Sequence, residues 1–308
     1  MRGLLVVNPR ATTTSARVTD VLVHAFAADL DLEVVMTTHR GHARSLGERA
    51  LDEHLEIVVT LGGDGVIHEV VNGVLRDGPG EHVPALATVP GGSGNVFARA
   101  LGLPADPVEA TGELLDAVRR GRTRTVGLAK ANDLWFVANA GIGLDAEVIE
   151  AMERQRRAGR TASPQRYLTT VLTELFRSTD RRHPRLTLER PGHPPIPGVF
   201  LAIVQNTSPW TFFGTWPIEP SPNAAFDTGI DLFALRDMRL PVVLRAARRM
   251  VMHSTAGSSG RSIVVWHDQA GFTITADPPA PWQADGESLG PTSGVRFAAI
   301  PRALRVFA

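Results

Sequence analysis

The first third of the chain alternates short apolar runs with helical patterns, and this alternation constrains the fold more than any other feature. The apolar runs are GLLVVN (3–8), LEVVMTT (32–38), EIVVTLGG (56–63) and PALATVPGG (84–92). Helical patterns at about 15–29, 42–53, 65–76 and 94–101 separate them, and one more lies within 106–126. Strands that alternate with helices in this way predict a doubly wound parallel sheet.

From about residue 125 the pattern changes to β-like segments separated by proline-rich turns, such as RLTLER (185–190), GIDLFAL (229–235) and GFTITAD (271–277). We therefore predict an α/β domain over 1–124 and a mainly antiparallel β-sandwich domain over 125–299. The last strand, at about 300–308, is expected to pack back on the first domain. Helices are expected at 145–158, 164–178 and 240–253.

Composition excludes several kinds of site. The formal net charge is zero and the pI is near 7.2, so no global field attracts nucleic acid, and none is expected as a partner. The absence of cysteine excludes disulfides, thiolate nucleophiles and cysteine zinc sites, and it fits a reducing compartment. The first residues lack a signal-peptide pattern, and no apolar run predicts a transmembrane segment. Lys130 is the only lysine, so no lysine-containing P-loop is present.

The stretch GGDGVIHEVVNG (62–73) combines a glycine turn with the start of a helix. Glycines allow close backbone approach, and the free N–H groups at a helix start suit phosphate. Asp64 would repel a phosphate directly, but it is well placed if a divalent cation lies between the two anions. The alternative is a tight turn in which Asp64 only helps to cap a helix.

A second glycine loop follows one βα unit later, in VPGGSGNVFARALGLP (89–104). A strand ends at Pro90, small residues follow, and Asn95 leads into a helix. Loops after successive parallel strands lie along one edge of the sheet, where such folds bind ligands. The Ser93 hydroxyl is available there to donate to a phosphate or a base.

Together the two loops resemble the diacylglycerol kinase catalytic-domain family, which includes bacterial lipid kinases, sphingosine kinases and ceramide kinase. The family usually has GGDGT followed by an E-V-x-N-G helix, and then P-x-G-[ST]-x-N. Further matching segments follow in the same order along the chain: VVNP (6–9), TTHRGHA (37–43), NAGIGLDAEV (139–148) and DGE (285–287). Their order and spacing make the resemblance specific.

The resemblance implies an NAD kinase- or phosphofructokinase-like nucleotide-binding domain, a lipid-substrate domain and an active site between them. It implies magnesium-dependent transfer of the γ-phosphoryl group of ATP to a lipid hydroxyl. By position, the nucleotide-binding residues would be Asn8, Pro9, Thr37, Gly62, Gly63, Asp64, Gly65, Val66, Glu69, Gly91, Gly92, Ser93 and Asn95. Asp64 would be catalytic and would hold magnesium through water.

Glu287 would be the general base that takes the hydroxyl proton. Phosphoryl transfer needs positioning, charge neutralisation and an oriented nucleophile, so a carboxylate in this role is chemically sensible. The local sequence ADGES by itself favours a hairpin turn between strands, because Asp-Gly is a common turn signal.

The chain departs from the family pattern at three positions. Val66 replaces a threonine beside the phosphates, and His68 replaces an asparagine that is frequent in bacterial relatives. Thr228 replaces an aspartate that joins a structural magnesium site in several relatives, while Asp227 lies one residue earlier. In a strand this shift would turn the carboxylate to the opposite face, so the structural magnesium site is expected to be absent or rebuilt, with Asp227 as its candidate ligand.

The lipid partner suggests contact with the inner face of a membrane by a cytoplasmic protein. Two segments are candidates for this contact: the aromatic stretch 206–222, with its Trp210–Trp216 loop, and the arginine-rich stretch 152–185. The alternatives are core filling for the first and a solvated helix face for the second. A homodimer is possible, as in bacterial relatives.

Three alternatives to a diacylglycerol kinase stay open. The first is a kinase for a long-chain base, ceramide or another lipid, although diacylglycerol is favoured as the commonest bacterial substrate of the family. A soluble-substrate kinase resembling NAD kinase ranks lower, because those enzymes lack the E-V-V-N-G and PGGSGN continuations. A non-catalytic nucleotide or lipid sensor is suggested by the threonine lost at position 66 and the aspartate lost at position 228.

Overall fold

The computed structural model describes residues 1–10, 16–157, 183–252 and 260–308, and within these ranges no side chain is described at 16–18, 152–153 or 155–157. The chain divides into two compact units, Met1–Leu128 with Ile300–Ala308, and Ala129–Ala299. The nucleotide and lipid roles expected of these two parts stay predictions.

The described residues of the first unit include four parallel strands and five helices. The strands are β1 (Arg2–Val7), β2 (Asp31–Met36), β3 (Ile57–Gly62) and β4 (Ala85–Pro90), and they pair in the order β4-β3-β1-β2. The helices are α1 (Ala16–Ala27), α2 (His42–Asp52), α3 (Asp64–Val74), α4 (Val96–Ala100) and α5 (Pro107–Arg119). The end of the last strand pairs in parallel with β4 at Val306 and Leu86.

Both faces of β1, β3 and β4 are buried, as their continuous apolar runs require, whereas the edge strand β2 is mostly exposed. Leu5 and Val7 pack with Phe26 of α1 and Leu114 of α5 on one face. The alternate residues of β1 are equally buried, and α2 and α3 contact β1 and β3. The predicted doubly wound parallel sheet is therefore confirmed.

Glycines allow α2 and α3 to pack at very short range. A Cβ added at Gly73 would lie 2.2 Å from the carbonyl oxygen of Arg44, and one added at Gly47 would lie 2.6 Å from that of Val70. Since these neighbours are backbone atoms, no side chain could move aside. Gly73 of the EVVNG segment therefore serves helix packing, which fixes the position of α3.

The second unit is rich in antiparallel strands. The strands are β6 (Leu134–Phe136), β7 (Asn139–Gly143), β8 (Leu186–Glu189), β9 (Ile196–Val199), β10 (Leu201–Gln205), β11 (Thr211–Phe213), β12 (Trp216–Ile218), β13 (Ile230–Leu235), β14 (Ile263–Gln269), β15 (Gly271–Ala284) and β16 (Glu287–Phe307). The main path runs in the order β14-β13-β10-β7-β15-β16, β8 pairs with β15 and β9, and β11 pairs with β12 in a separate ribbon.

Two strands continue from one unit into the other: β5 (Thr123–Ala131) and β16 (Glu287–Phe307). The second unit also holds α6 (Leu144–Arg157) and α7 (Leu240–Val251), close to the predicted bounds. The helix predicted at 164–178 lies outside the described residues. The predicted fold class, an α/β part followed by a mainly antiparallel part, is confirmed.

The core of the second unit is aromatic and aliphatic. Phe272 contacts Trp266 and Phe297 at ring-centre distances of 5.3 Å and 5.5 Å. Within the part of the chain that the structure describes, no helix is long and apolar enough to cross a membrane.

Candidate active site

The two glycine loops of the first unit contact each other through their backbones. A Cβ at Gly92 would lie 2.6 Å from the Cα of Gly63, and one at Gly63 would lie 3.1 Å from the Cα of Gly92. Next to this contact, the N–H of Gly91 donates to the carbonyl oxygen of Gly62 at 2.8 Å. The loops after β3 and β4 therefore form one continuous backbone surface, as the sequence predicts for neighbouring strand ends.

Asn95 closes the second loop on itself. Its Oδ1 accepts the N–H of Gly92 at 2.8 Å, and its Nδ2 donates to the carbonyl oxygen of Gly92 at 2.7 Å. The residue has a left-handed backbone, with φ of 49°, which asparagine tolerates better than most residues. Ser93 stays exposed at the tip of the loop. Asn95 thus shapes the loop, and Ser93 is an exposed polar side chain at its tip.

Asp64 joins the two loops. Although it is the first residue of α3, its carboxylate accepts the N–H groups of Val96 and Phe97 at the start of α4, both at 3.1 Å. Gly94 lets the carboxylate approach, since a Cβ at that position would lie 3.2 Å from Oδ2. The capping alternative is therefore realised, but on the helix of the neighbouring βα unit and not on its own.

Asn8, Pro9 and Thr37 lie at the same edge of the sheet. The N–H of Asn8 donates to Leu61 at 2.9 Å, and the N–H of Thr37 donates to Val7 at 2.8 Å. A Cβ added at Gly62 would lie 3.3 Å from the Cβ of Asn8. The carboxyl ends of β1, β2, β3 and β4 thus bring these predicted residues to one edge.

Glu69 has a structural task that the sequence did not reveal. Its two carboxylate oxygens accept the N–H groups of Gly41 at 2.8 Å and Ala43 at 3.0 Å. These N–H groups belong to the start of α2, where negative charge is favourable. Glu69 therefore holds the TTHRGHA segment in place. Val66 and His68 are both buried on α3, so the His68 side chain lies inside the unit.

In the second unit the segment before Glu287 forms a two-residue hairpin turn. Ala284 of β15 pairs with Glu287 of β16, and Asp285 and Gly286 between them have φ of 47° and 81°. Two successive positive φ values are typical of the turn that Asp-Gly favours in hairpins. The turn predicted from the local sequence is therefore present, and it carries Glu287 as its first strand residue.

Asp285 holds this turn against residues 137–139 of the same unit. Its carboxylate accepts the N–H groups of Val137 at 2.9 Å, Ala138 at 2.9 Å and Asn139 at 3.2 Å, and its own N–H donates to the carbonyl oxygen of Asn139 at 2.8 Å. Hydrogen bonds from three donors to one buried carboxylate fix the position of the turn. Apart from its place in the DGE segment, nothing in the sequence predicts this role for Asp285.

A buried network of hydrogen bonds through Gln283 and Asp145 supports the turn. Gln283 accepts the N–H of Gly286 at 2.9 Å and donates through Nε2 to Asp145 at 2.7 Å. Burial raises the pKa of Asp145 to about 6, while the hydrogen bond from Gln283 opposes this change. A Cβ at Gly141 would overlap the Asp145 carboxylate, which explains one glycine of the NAGIG segment. No motif in the sequence predicts this role for Gln283.

The expected direction of the Asp227 side chain assumed that this residue lies in a strand, and that assumption is wrong. Strand β13 begins only at Ile230, so Asp227 lies in the preceding turn and the alternation of a strand does not decide its direction. Thr228 closes this turn by donating its hydroxyl to the carbonyl oxygen of Ala225 at 2.9 Å. Asp227 itself is exposed.

Nearby, the buried carboxylate of Asp231 lies 2.9 Å from Nδ1 of His267 and accepts the N–H of Asp268 at 3.0 Å. Burial raises the pKa of Asp231, and these hydrogen bonds oppose the change. Among the described residues, no group of three or more histidine and acidic side chains is arranged to hold a metal ion.

The first unit fits a phosphate-bearing ligand better than a metal bound directly by protein. Its two loops touch at Gly63 and Gly92 with no room for a side chain between them, so the surface that they present to a ligand there is backbone. Asp64 brings one carboxylate to this point, which suits a magnesium ion that keeps most of its water.

Comparison with known proteins agrees with this arrangement. Residues 2–131 match the model of the diacylglycerol kinase catalytic domain. A diacylglycerol kinase of Staphylococcus carnosus is 34% identical over 131 residues, which cover 42% of this chain and 40% of that protein. One of Staphylococcus epidermidis is 33% identical over 124 residues, 40% of this chain and 37% of that protein. The chain thus aligns with about two fifths of the length of these relatives.

The likeness in fold extends further than the likeness in sequence. A diacylglycerol kinase structure from Bacillus anthracis superposes with a TM-score of 0.73 at 21% identity, covering 99% of this chain and 96% of that chain. Another structure from the same organism gives 0.78 at 22% identity with the same coverage. With the matching loops at its sheet edge, the segment 2–131 belongs to the diacylglycerol kinase catalytic domain family.

Proposed function

We propose that the protein is a magnesium-dependent lipid kinase that transfers the γ-phosphoryl group of ATP to the hydroxyl of diacylglycerol, giving phosphatidic acid. The observation that carries the proposal is the joint between the two glycine loops, where Asp64 caps α4 beside the contact of Gly63 and Gly92. A tight backbone cradle next to a carboxylate suits a magnesium nucleotide.

The proposal assigns the phosphates to the N–H groups of the two loops and to Ser93, which is exposed at the tip. Asn8 and Thr37 border the nucleotide at the ends of β1 and β2. Asp64 is the residue that would hold magnesium, through water. When bound, the ion supplies charge neutralisation at the phosphates. Asn95 and Glu69 act by holding the loops in shape.

Glu287 is the proposed general base. Its Oε accepts the hydroxyl proton while the lipid oxygen forms a bond to the γ-phosphorus and the bond from that phosphorus to the leaving ADP oxygen breaks. The anchored hairpin turn supports this role, because Asp285 and Gln283 limit the positions that Glu287 can take.

Diacylglycerol as the acceptor is supported by the names of the relatives. A lipid acceptor places the working enzyme at a membrane surface, and the absence of cysteine fits the cytoplasmic side. A homodimer remains compatible with this function.

The test is a phosphoryl-transfer assay with γ-labelled ATP and magnesium. Mixed micelles would contain diacylglycerol, a long-chain base or ceramide, and NAD would serve as the soluble acceptor. We expect magnesium-dependent label in phosphatidic acid. Label in another lipid would keep the kinase and change its acceptor, and label in NADP alone would replace the proposal with a soluble-substrate kinase. ATP binding without transfer to any acceptor would favour the sensor.

Glu287→Gln separates the base from a general effect of charge. We expect turnover to fall by about a hundredfold or more with ATP affinity unchanged. The matched control is Glu150→Gln, an exposed glutamate on α6 of the same unit, which should keep wild-type turnover. Wild-type turnover in Glu287→Gln would remove this residue from the mechanism.

A further inference from the structure

Helix α7 carries an apolar stripe that faces solvent. Leu240, Leu244 and Val251 are all exposed, Leu244 by 60%. At about 100° per residue these three positions fall within about 40° of one another around the helix axis. Val242 and Ala246, on the opposite side, are buried against the unit. The helix therefore has two apolar faces, and only one of them serves the core.

The same helix is strongly basic. It contains Arg245, Arg248 and Arg249 and no acidic residue, although the whole chain has equal numbers of acidic and basic side chains. Arg248 and Arg245 are exposed and lie about 40° and about 100° beyond Leu244 around the helix axis. Complementing the helix dipole could explain arginines in the last turn, but it does not explain exposed leucines.

An aromatic hairpin lies beside this helix. Strands β11 and β12 form a separate two-stranded ribbon, and β12 contacts α7. The N–H of Glu219 donates to the carbonyl oxygen of Met250 at 2.8 Å, which ties the end of the hairpin to the helix. At the hairpin tip Trp216 is 66% exposed and Phe213 is 43% exposed. Tryptophan at the edge of an apolar patch is typical of a membrane interface.

We propose that the exposed face of α7 and the tip of the β11–β12 hairpin, here called the α7 face, form a docking surface for an anionic lipid bilayer. Apolar side chains would enter the headgroup boundary while the arginines bind lipid phosphates, as in interfacial amphipathic helices. This surface lies outside the two stretches expected from sequence, except for the hairpin. The inference rests on the proposed function only for the reason why the protein would bind a membrane. The vesicle experiments that test it do not require kinase activity.

Charge complementarity selects the bilayer over a second copy of the chain. Two copies meeting face to face through α7 would bring six arginines together without an acidic residue on either helix. Like charges brought together in this way would weaken such a contact. An anionic bilayer supplies the missing negative charge and an apolar phase at once.

The test is flotation of the full chain with vesicles of phosphatidylcholine, with or without phosphatidylglycerol. Leu244→Gln/Val251→Gln should lower vesicle partitioning by at least about tenfold. Arg245→Gln/Arg248→Gln should lower it by about tenfold on phosphatidylglycerol vesicles and should reduce its salt dependence. The matched control is Val21→Gln/Val108→Gln, two exposed valines of α1 and α5, which should partition like the wild type.

A spectroscopic measurement tests the hairpin independently. Brominated lipid should quench the tryptophan fluorescence of the wild type more than that of Trp216→Phe. The other four tryptophans remain in both proteins, so the difference reports on Trp216 alone. Equal quenching, or wild-type partitioning of the Leu244→Gln/Val251→Gln variant, would overturn the proposal. So would light scattering that shows this variant turning a dimer into a monomer while vesicle binding stays unchanged.

The kinase assay separates this inference from the proposed function. With short-chain diacylglycerol dissolved as monomers, α7 variants should keep wild-type turnover, because the acceptor need not be taken from a bilayer. If vesicle binding depends on α7 but the protein has no kinase activity, the proposed function is contradicted and the docking surface is still supported.

Discussion

Gly63 and Gly92 meet Cα to Cα with no room for a side chain between them, since a Cβ at Gly92 would lie 2.6 Å from the Cα of Gly63. These residues are distant in sequence, and they belong to loops after neighbouring parallel strands. The close contact brings the N–H groups of both loops to the same place. Each loop thus excludes a side chain from the other at this point, whether or not a ligand is bound.

Gly92→Ala should therefore damage both loops at once. We expect a loss of stability of roughly 1–3 kcal/mol from the forced backbone shift and at least about a tenfold loss of ATP affinity. Urea unfolding and calorimetric titration would measure the two effects. Gly112→Ala is the control, because nothing lies within 4 Å of its added Cβ and alanine in this helix should stabilise by about 1 kcal/mol. Unchanged ATP affinity in Gly92→Ala would separate the loops from the nucleotide.

Replacing Asp64 in two ways should separate its capping role from its proposed catalytic role. Asp64→Ala removes both acceptors of α4 and should cost about 1–2 kcal/mol, while Asp64→Asn keeps one acceptor and should cost less. Both variants should lose turnover by about a hundredfold, because both lack the charge that would hold magnesium. If Asp64→Asn instead turned over like the wild type, Asp64 would be a cap and nothing more.

Asp285→Ala should destabilise the second unit strongly. It leaves the N–H groups of Val137, Ala138 and Asn139 without their buried carboxylate partner, and we expect a loss of roughly 2–4 kcal/mol. Thermal or urea unfolding would show it. Asp133→Ala changes an exposed aspartate in the same unit and should stay within about 0.5 kcal/mol of the wild type. A similar small effect at Asp285 would contradict the anchoring role.

Asp145 should make stability depend on pH in a direction unusual for a carboxyl group. Its folded pKa of about 6 lies above its ordinary value of 3.8, so the folded state holds the proton more tightly. Its contribution is complete below about pH 4 and is lost as the pH rises through about 6, and it amounts to roughly 3 kcal/mol at most.

Asp145→Asn should remove this dependence. We expect the difference in unfolding free energy between variant and wild type to shift in favour of the variant between about pH 4 and pH 7. Urea unfolding midpoints across this range would measure it, and the Glu150→Gln variant controls for the exposed charge of the same helix. A difference that does not vary with pH would show that the Asp145 carboxyl titrates normally in the folded protein.

Much of this protein was readable from local sequence. The strands of the first unit, the helices between them and the glycine loops follow from apolar periodicity and from glycine chemistry within a few residues. The Asp-Gly turn before Glu287 was equally local, because two positive φ values suit that dipeptide. The strand argument for Asp227 was wrong because β13 begins at Ile230, and strand ends are poorly marked by short apolar runs.

Only the tertiary structure decided which polar groups meet. Asp64 caps a helix 32 residues away, Glu69 holds α2 from 26 and 28 residues away, and Asp285 binds backbone N–H groups at separations of up to 148 residues. The sequence therefore determined the elements and the loops that carry the candidate site. The chain path brought distant carboxylates to unpaired backbone donors, because a buried N–H group must find an acceptor wherever the fold supplies one.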